Sequence, residues 1–135
     1  MSKDKKSLTE QQEQIRVDLA AMFRLTAMHG WDDTIWNHIT ARVPGSDHHF
    51  YMHRFGLSYE EVCASNLIKV DEEGNVLEGP KDVNTAGFII HSAIHLNHPN
   101  TCIHPRNIFN MCDEEHYYYY YPLPKLIIKW VSLVQ

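Results

Sequence analysis

The sequence predicts an α/β layer architecture with an antiparallel or mixed sheet. Three observations carry this. Ser7-Leu8-Thr9-Glu10 has the capping-box form, in which a hydroxyl and a carboxylate satisfy donors at a helix start. Asn84-Thr85 supplies a second helix start. Between the two lie short stretches of strand-like composition separated by turn residues. The order that results is helix, four short strands, helix, strand.

The first helix carries Ile15, Leu19, Met22, Phe23 and Thr26 on one stripe, with Gln and Glu opposite, and Gly30 is its stop. Trp31 to Trp36 is a loop holding Asp32 and Asp33. Asn37 to Val43 alternates as a strand, and Pro44-Gly45-Ser46-Asp47 turns the chain. On the next strand His49, Tyr51 and His53 share one face and Phe50 and Met52 the other. With His48 these histidines are either a metal set or adjacent exposed strand positions. Ser58-Tyr59-Glu60-Glu61 is another capping box, opening a short helical turn through Cys63. Leu67 to Val70 and Val76 to Glu78 are strands joined by the Asp71-Glu72-Glu73-Gly74-Asn75 turn.

The second helix runs from Ala86 to about Asn97 and is stopped by Pro99. Phe88, Ile89, Ile90, Ala93, Ile94 and Leu96 make it apolar nearly all round, which predicts burial on more than one side. His91 and His95, four residues apart on one face, are either two imidazoles of a metal site or a helix–sheet contact. Thr101 to His104 reads as the start of a buried strand.

At 135 residues the chain is one domain, able to bury about two-thirds of its unfolded surface. A formal net charge of −5 without a basic stripe argues against nucleic acid as the main partner. The polar stretch 1–14 has no signal-peptide pattern, and no apolar run approaches the ~20 residues of a membrane span. Cys63, Cys102 and Cys112 are odd in number and lack CxxC spacing, which fits free thiols in a reducing, cytoplasmic setting.

Four segments in register resemble the class II aldolase/adducin family. They are Asn37-His-Ile-Thr-Ala-Arg42, Phe55-Gly-Leu-Ser-Tyr-Glu-Glu61, Leu67-Ile-Lys-Val-Asp71 with Gly74-Asn75, and Asn84-Thr-Ala-Gly-Phe-Ile-Ile-His91. The resemblance divides the chain into a polar segment 1–14, a family-like domain 15–104 and a non-family tail 105–135. It implies a three-layer α/β/α fold with a central, mostly antiparallel sheet, here truncated. It also implies a homotetramer, zinc held between subunits, and a small phosphorylated sugar as substrate. Zinc in such enzymes polarises a carbonyl and stabilises an enediolate as a carbon–carbon bond breaks. The adducin branch implies instead a binding module, with an actin-type partner by analogy.

Residue by residue, the resemblance places Asn37 and Gly56 in phosphate-binding loops and Thr85 at a phosphate-binding serine position. Gly87 stands where family aldolases carry the catalytic acid, so no catalytic residue is assigned. His104 is the first member of the family's metal pair. Arg106 stands at the second, and a guanidinium has no lone pair to give a metal. The expectation is a remnant without catalysis, in which zinc binding is doubtful; the alternatives are the adducin-like binding module and a weak zinc-dependent lyase or epimerase that holds its metal through His91, His95 or His104.

After His104 the sequence changes character. Tyr117 to Tyr121 is a run of five tyrosines, and Leu126 to Val134 is apolar with one charge. Permitted codons for His104-Pro105-Arg106 read Thr-His-Ala one base later, which resembles the family's continuation. A tail translated out of frame is therefore the expectation.

Overall fold

The computed structural model describes residues 7–32, 37–46 and 48–97, and the backbone of 101–104 and 107–110. Helix α1 spans Leu8–Met28. The Ser7 hydroxyl accepts from the Glu10 amide at 3.3 Å, while the Glu10 carboxylate accepts from the Ser7 amide at 2.7 Å. Its buried face is Leu19, Ala20, Phe23 and Thr26, close to the stripe expected. Gly30 follows at φ +64°, which a β-carbon disfavours. Ser7→Ala removes one side of a solvent-exposed cap and should lower stability by about 1 kcal/mol, read as a shift in the denaturant midpoint.

The strands are β1 (Thr40–Arg42), β2 (His49–Met52), β3 (Ile68–Asp71), β4 (Val76–Glu78), β5 (Thr101–His104) and β6 (Asn107–Asn110). Two 3₁₀ turns, Tyr59–Glu61 and Ala64–Asn66, lie between β2 and β3, and helix α2 (Thr85–Asn97) lies between β4 and β5. The sheet order is β4-β3-β2-β1-β5-β6, with every neighbouring pair antiparallel. The register sets Thr40 opposite Met52 on one side and Ile103 on the other.

One hydrophobic cluster unites α1 with the sheet through Leu19, Phe23, Ile39, Ala41, Val43, Tyr51, Tyr59 and Val62. A second unites Phe50, Met52, Ile68 and Val70 with Phe88 of α2. Because Tyr51 belongs to the first and its neighbours Phe50 and Met52 to the second, both faces of β2 are covered, and the three-layer α/β/α arrangement follows.

Three expectations change. His53 is buried rather than exposed, because just past the end of the central strand β2 it packs against Phe23 and Tyr59. Helix α2 is not buried on more than one side. It buries Gly87, His91, Ser92 and His95, while Ile89, Ile90 and Leu96 are 60%, 58% and 55% exposed. Small residues let the helix approach the sheet closely, and the two imidazoles find a hydrogen-bond partner there, so its polar side faces inward. Finally, the sheet continues past His104, since Asn107–Asn110 pairs back onto Thr101–His104.

Candidate functional site

Of the candidate binding residues, Thr85 opens α2, Gly56 lies on a loop fastened to the approach to that helix, and Asn37 precedes β1. Asn84 caps the helix, its side-chain oxygen accepting from the Gly87 amide at 3.1 Å. Other first-turn amides have no acceptor within a helix and, with the helix dipole, favour a bound anion. Thr85 is exposed at this end. The loop carrying Gly56 is fastened to the same approach: the Phe55 amide donates to the Asp82 carbonyl at 2.8 Å, and Arg54 pairs with the Asp82 carboxylate at 2.7 Å. Gly56 has φ +86° and open space where a β-carbon would be. Asn37 reaches the area through its neighbour His38 but points its own amide inward, donating to the Trp31 carbonyl at 3.1 Å. Thus Gly56 and Thr85 are open to a ligand, whereas Asn37 braces its loop.

Gly87 is the tightest point. A β-carbon there would lie 2.6, 2.7 and 2.8 Å from three ring atoms of His38. The imidazole therefore occupies the volume that a side chain at position 87 would need. His38 was not among the residues singled out from the sequence. Its adjacency to Asn37 was the one signal available, and the contact with a residue 49 positions later is tertiary.

The histidines form a chain of ring contacts through the domain. His53 lies 6.2 Å from His38, and His38 meets His91 edge-on at 5.7 Å between centroids. On α2, His91 Nδ1 and His95 Nε2 both lie 2.8 Å from Thr40 Oγ1. Nδ1 of His95 is buried without a hydrogen-bond partner. An unsatisfied lone pair is cheaper there than an unsatisfied N–H. His95 Nε2–H accordingly donates to Thr40, and the Thr40 hydroxyl donates to His91 Nδ1. Burial, with the Arg42 charge beside it, pushes His95 down to about 3, and burial with His38 nearby pushes His53 down to about 4. Burial and the neighbouring Asp32 push the Tyr59 phenol up.

These geometries bear on the metal. His91 and His95 are engaged with Thr40, which is the helix–sheet contact of the two alternatives. His48 pairs with Glu72 at 2.7 Å and is mostly exposed, whereas His53 is buried against Phe23 and Tyr59. The histidines around β2 therefore do not converge. Among the described residues no three His, Cys, Asp or Glu side chains are grouped to hold a metal ion. The backbone of His104 sits in β5 opposite Asn107. Its side chain and the whole of Arg106 lie outside the described residues, as does the tail beyond Asn110. The described side chains do not make a zinc set, so no chemical step is routed through zinc. No helix among the described residues is long and apolar enough to cross a membrane.

A family profile described as the class II aldolase and adducin N-terminal domain matches residues 17–107. An "aldolase class 2" protein of Caulobacter vibrioides is 53% identical over 92 residues, covering 67% of this chain and 36% of that protein. Alpha-adducin of Rattus norvegicus is 44% identical over 93 residues, 66% of this chain and 13% of the adducin. Among solved structures, an L-fuculose 1-phosphate aldolase from Glaciozyma antarctica superposes with a TM-score of 0.70 at 34% identity, covering 76% of this chain and 44% of that one. The chain thus spans about a third of the length of its bacterial relative. By sequence match and by fold, it belongs to the class II aldolase/adducin family.

Proposed function

We propose that the chain is a non-catalytic remnant of a metal-dependent carbohydrate-phosphate aldolase or epimerase, retaining a site for a small phosphorylated carbohydrate at the N-terminus of α2. The observation that carries this is the packing of His38 on Gly87. Position 87 has no carboxyl group, and the volume for one is taken by an imidazole. The open first turn of α2, with Thr85 and Gly56 beside it, supports anion binding in the same place. The homotetramer is part of this reading, and so is the out-of-frame origin of residues 105–135. Translating the DNA downstream of codon 104 in all forward frames tests that origin. A family-like continuation in another frame supports it, and its absence rejects it.

The chemistry is tested by aldol cleavage of small sugar phosphates with added zinc or manganese. No turnover is expected. Metal-dependent turnover that His104→Ala abolishes would overturn the inactive reading. Gly87→Glu is expected to remain inactive and to lose about 1–3 kcal/mol of stability, because the new side chain must displace the buried His38 ring. Denaturant titration beside the activity assay checks both halves of that expectation.

A second reading, a non-enzymatic binding module of the adducin-head kind, is favoured by the outward Ile89, Ile90 and Leu96 of α2. An apolar strip of this sort suits a protein contact. Binding of an actin-type partner that Ile90→Asp abolishes, without change in the melting curve, would support it. Binding that the substitution leaves unchanged would count against it.

A further inference from the structure

We propose that the apolar segment Leu126–Val134 of this chain docks on the outward face of α2. Ile89, Ile90, Ala93 and Leu96 fall within an arc of about 120° on the side of the helix away from the sheet. Ile89, Ile90 and Leu96 are more than half exposed, and Ala93 is exposed beside them. No Asp, Glu, Lys or Arg stands in α2, so an apolar segment can lie along it without burying an unpaired charge. The area points to a tethered occupant. These side chains offer on the order of 300 Å², well short of the roughly 800 Å² per partner that a stable interface between separate molecules buries. A segment of the same chain needs less, because its tether holds it at an effective concentration of about millimolar. Geometry allows it. β6 ends at Asn110, paired with Thr101, and Thr101 follows the last residue of α2 by four positions, at most about 14 Å of chain. The chain therefore passes into residues 111–135 beside the C-terminal end of α2. The sixteen steps from Asn110 to Leu126 reach as far as about 50 Å, while α2 measures about 20 Å. Charge agrees. Lys129 is the one charge within Leu126–Val134, with Lys125 just before it. Gly74 abuts α2, since a β-carbon there would lie 3.0 Å from the Phe88 ring, and the turn carrying Glu72 and Glu73 therefore borders the strip.

The experiment digests the full chain with limiting trypsin and times cleavage after Lys129 against the free peptide Pro122–Gln135. In the chain the cut is expected to run about tenfold slower than in the peptide, at any chain concentration, because a docked segment must open before it is cleaved. Ile90→Asp and, independently, Leu96→Asp should bring it to the peptide's rate. Leu133→Asp, timed against a peptide with the same change, should do so too, and it supplies a variant outside α2 if the helix substitutions disturb folding. Cleavage of the unchanged chain at the peptide's rate would overturn the proposal and leave the strip to a separate partner. Protection that disappears on dilution would overturn it in favour of a second copy of the chain. Protection that the helix substitutions leave intact would show that the segment docks elsewhere, and would overturn it as well.

Discussion

Thr40→Val is expected to lower stability by about 2–6 kcal/mol although it alters shape little. Thr40 is fully buried, and its one hydroxyl joins His91 Nδ1 and His95 Nε2, both at 2.8 Å. Valine would leave two buried imidazole nitrogens without partners, at roughly 1–3 kcal/mol each. That is a large share of the roughly 5–15 kcal/mol by which domains of this kind are stable. Thr40→Ser keeps the hydroxyl and should cost much less. Urea titration of the two variants checks this, and equal losses would show that the missing methyl group, rather than the hydrogen bonds, dominates. The same bonds hold α2 to β1, so faster amide exchange in α2 should accompany the loss in the valine variant.

Acid is the second large effect. His53 and His95 have folded-state pKa values pushed down to about 4 and about 3, from an ordinary 6.5 in the unfolded chain. The unfolded chain therefore binds more protons than the folded one between those limits. The stabilisation is fully present above pH 6.5. It falls as pH drops through the window from 6.5 to about 4 for His53 and about 3 for His95. Each histidine contributes about 1.4 kcal/mol per pH unit, so going from pH 6.5 to 5 should remove on the order of 4 kcal/mol. Carboxylates act lower down. Glu78, held below the usual carboxylate range by its bond to Lys69, loses its contribution only as pH falls below the ordinary glutamate value of 4.5. Denaturant titrations at pH 7.5, 6 and 5 measure the slope. His53→Phe, placed against Phe23 and Tyr59, should roughly halve it. A flat profile above pH 5 would show that these imidazoles are not desolvated as the packing implies.

Much of the architecture was legible locally. The Ser7–Glu10 capping box, the Ser58–Glu61 box and the turn around Gly74 all appear where expected, because each is made by residues within five positions of one another. Asn84 capped α2 for the same reason. The apolar stripe of α1 named the helix face that packs on Tyr51 and Tyr59, since one-sided amphipathicity tells which face is buried. Helix α2 offered no such guide. With apolar residues nearly all round, its sequence did not say which arc would meet the sheet.

The candidate site divides in the same way. Gly56 and Thr85 came from matching short segments, and the structure leaves both open, Gly56 on a loop fastened at Asp82 and Thr85 at the start of α2. Asn37 came by the same route, but its inward bond to Trp31 depends on how the chain folds back at Gly30. The sequence by itself determined family membership, the order of elements, the caps and turns, and the absence of a side chain at position 87. Only the tertiary structure decided that β2 is covered on both faces and that α2 docks through histidines held by Thr40. It alone placed His38 in the space Gly87 leaves. The physical reason is range: caps and turns are set by neighbours in the chain, whereas the Thr40–His91 and His38–Gly87 contacts join residues 51 and 49 positions apart, brought together only by docking the helix on the sheet.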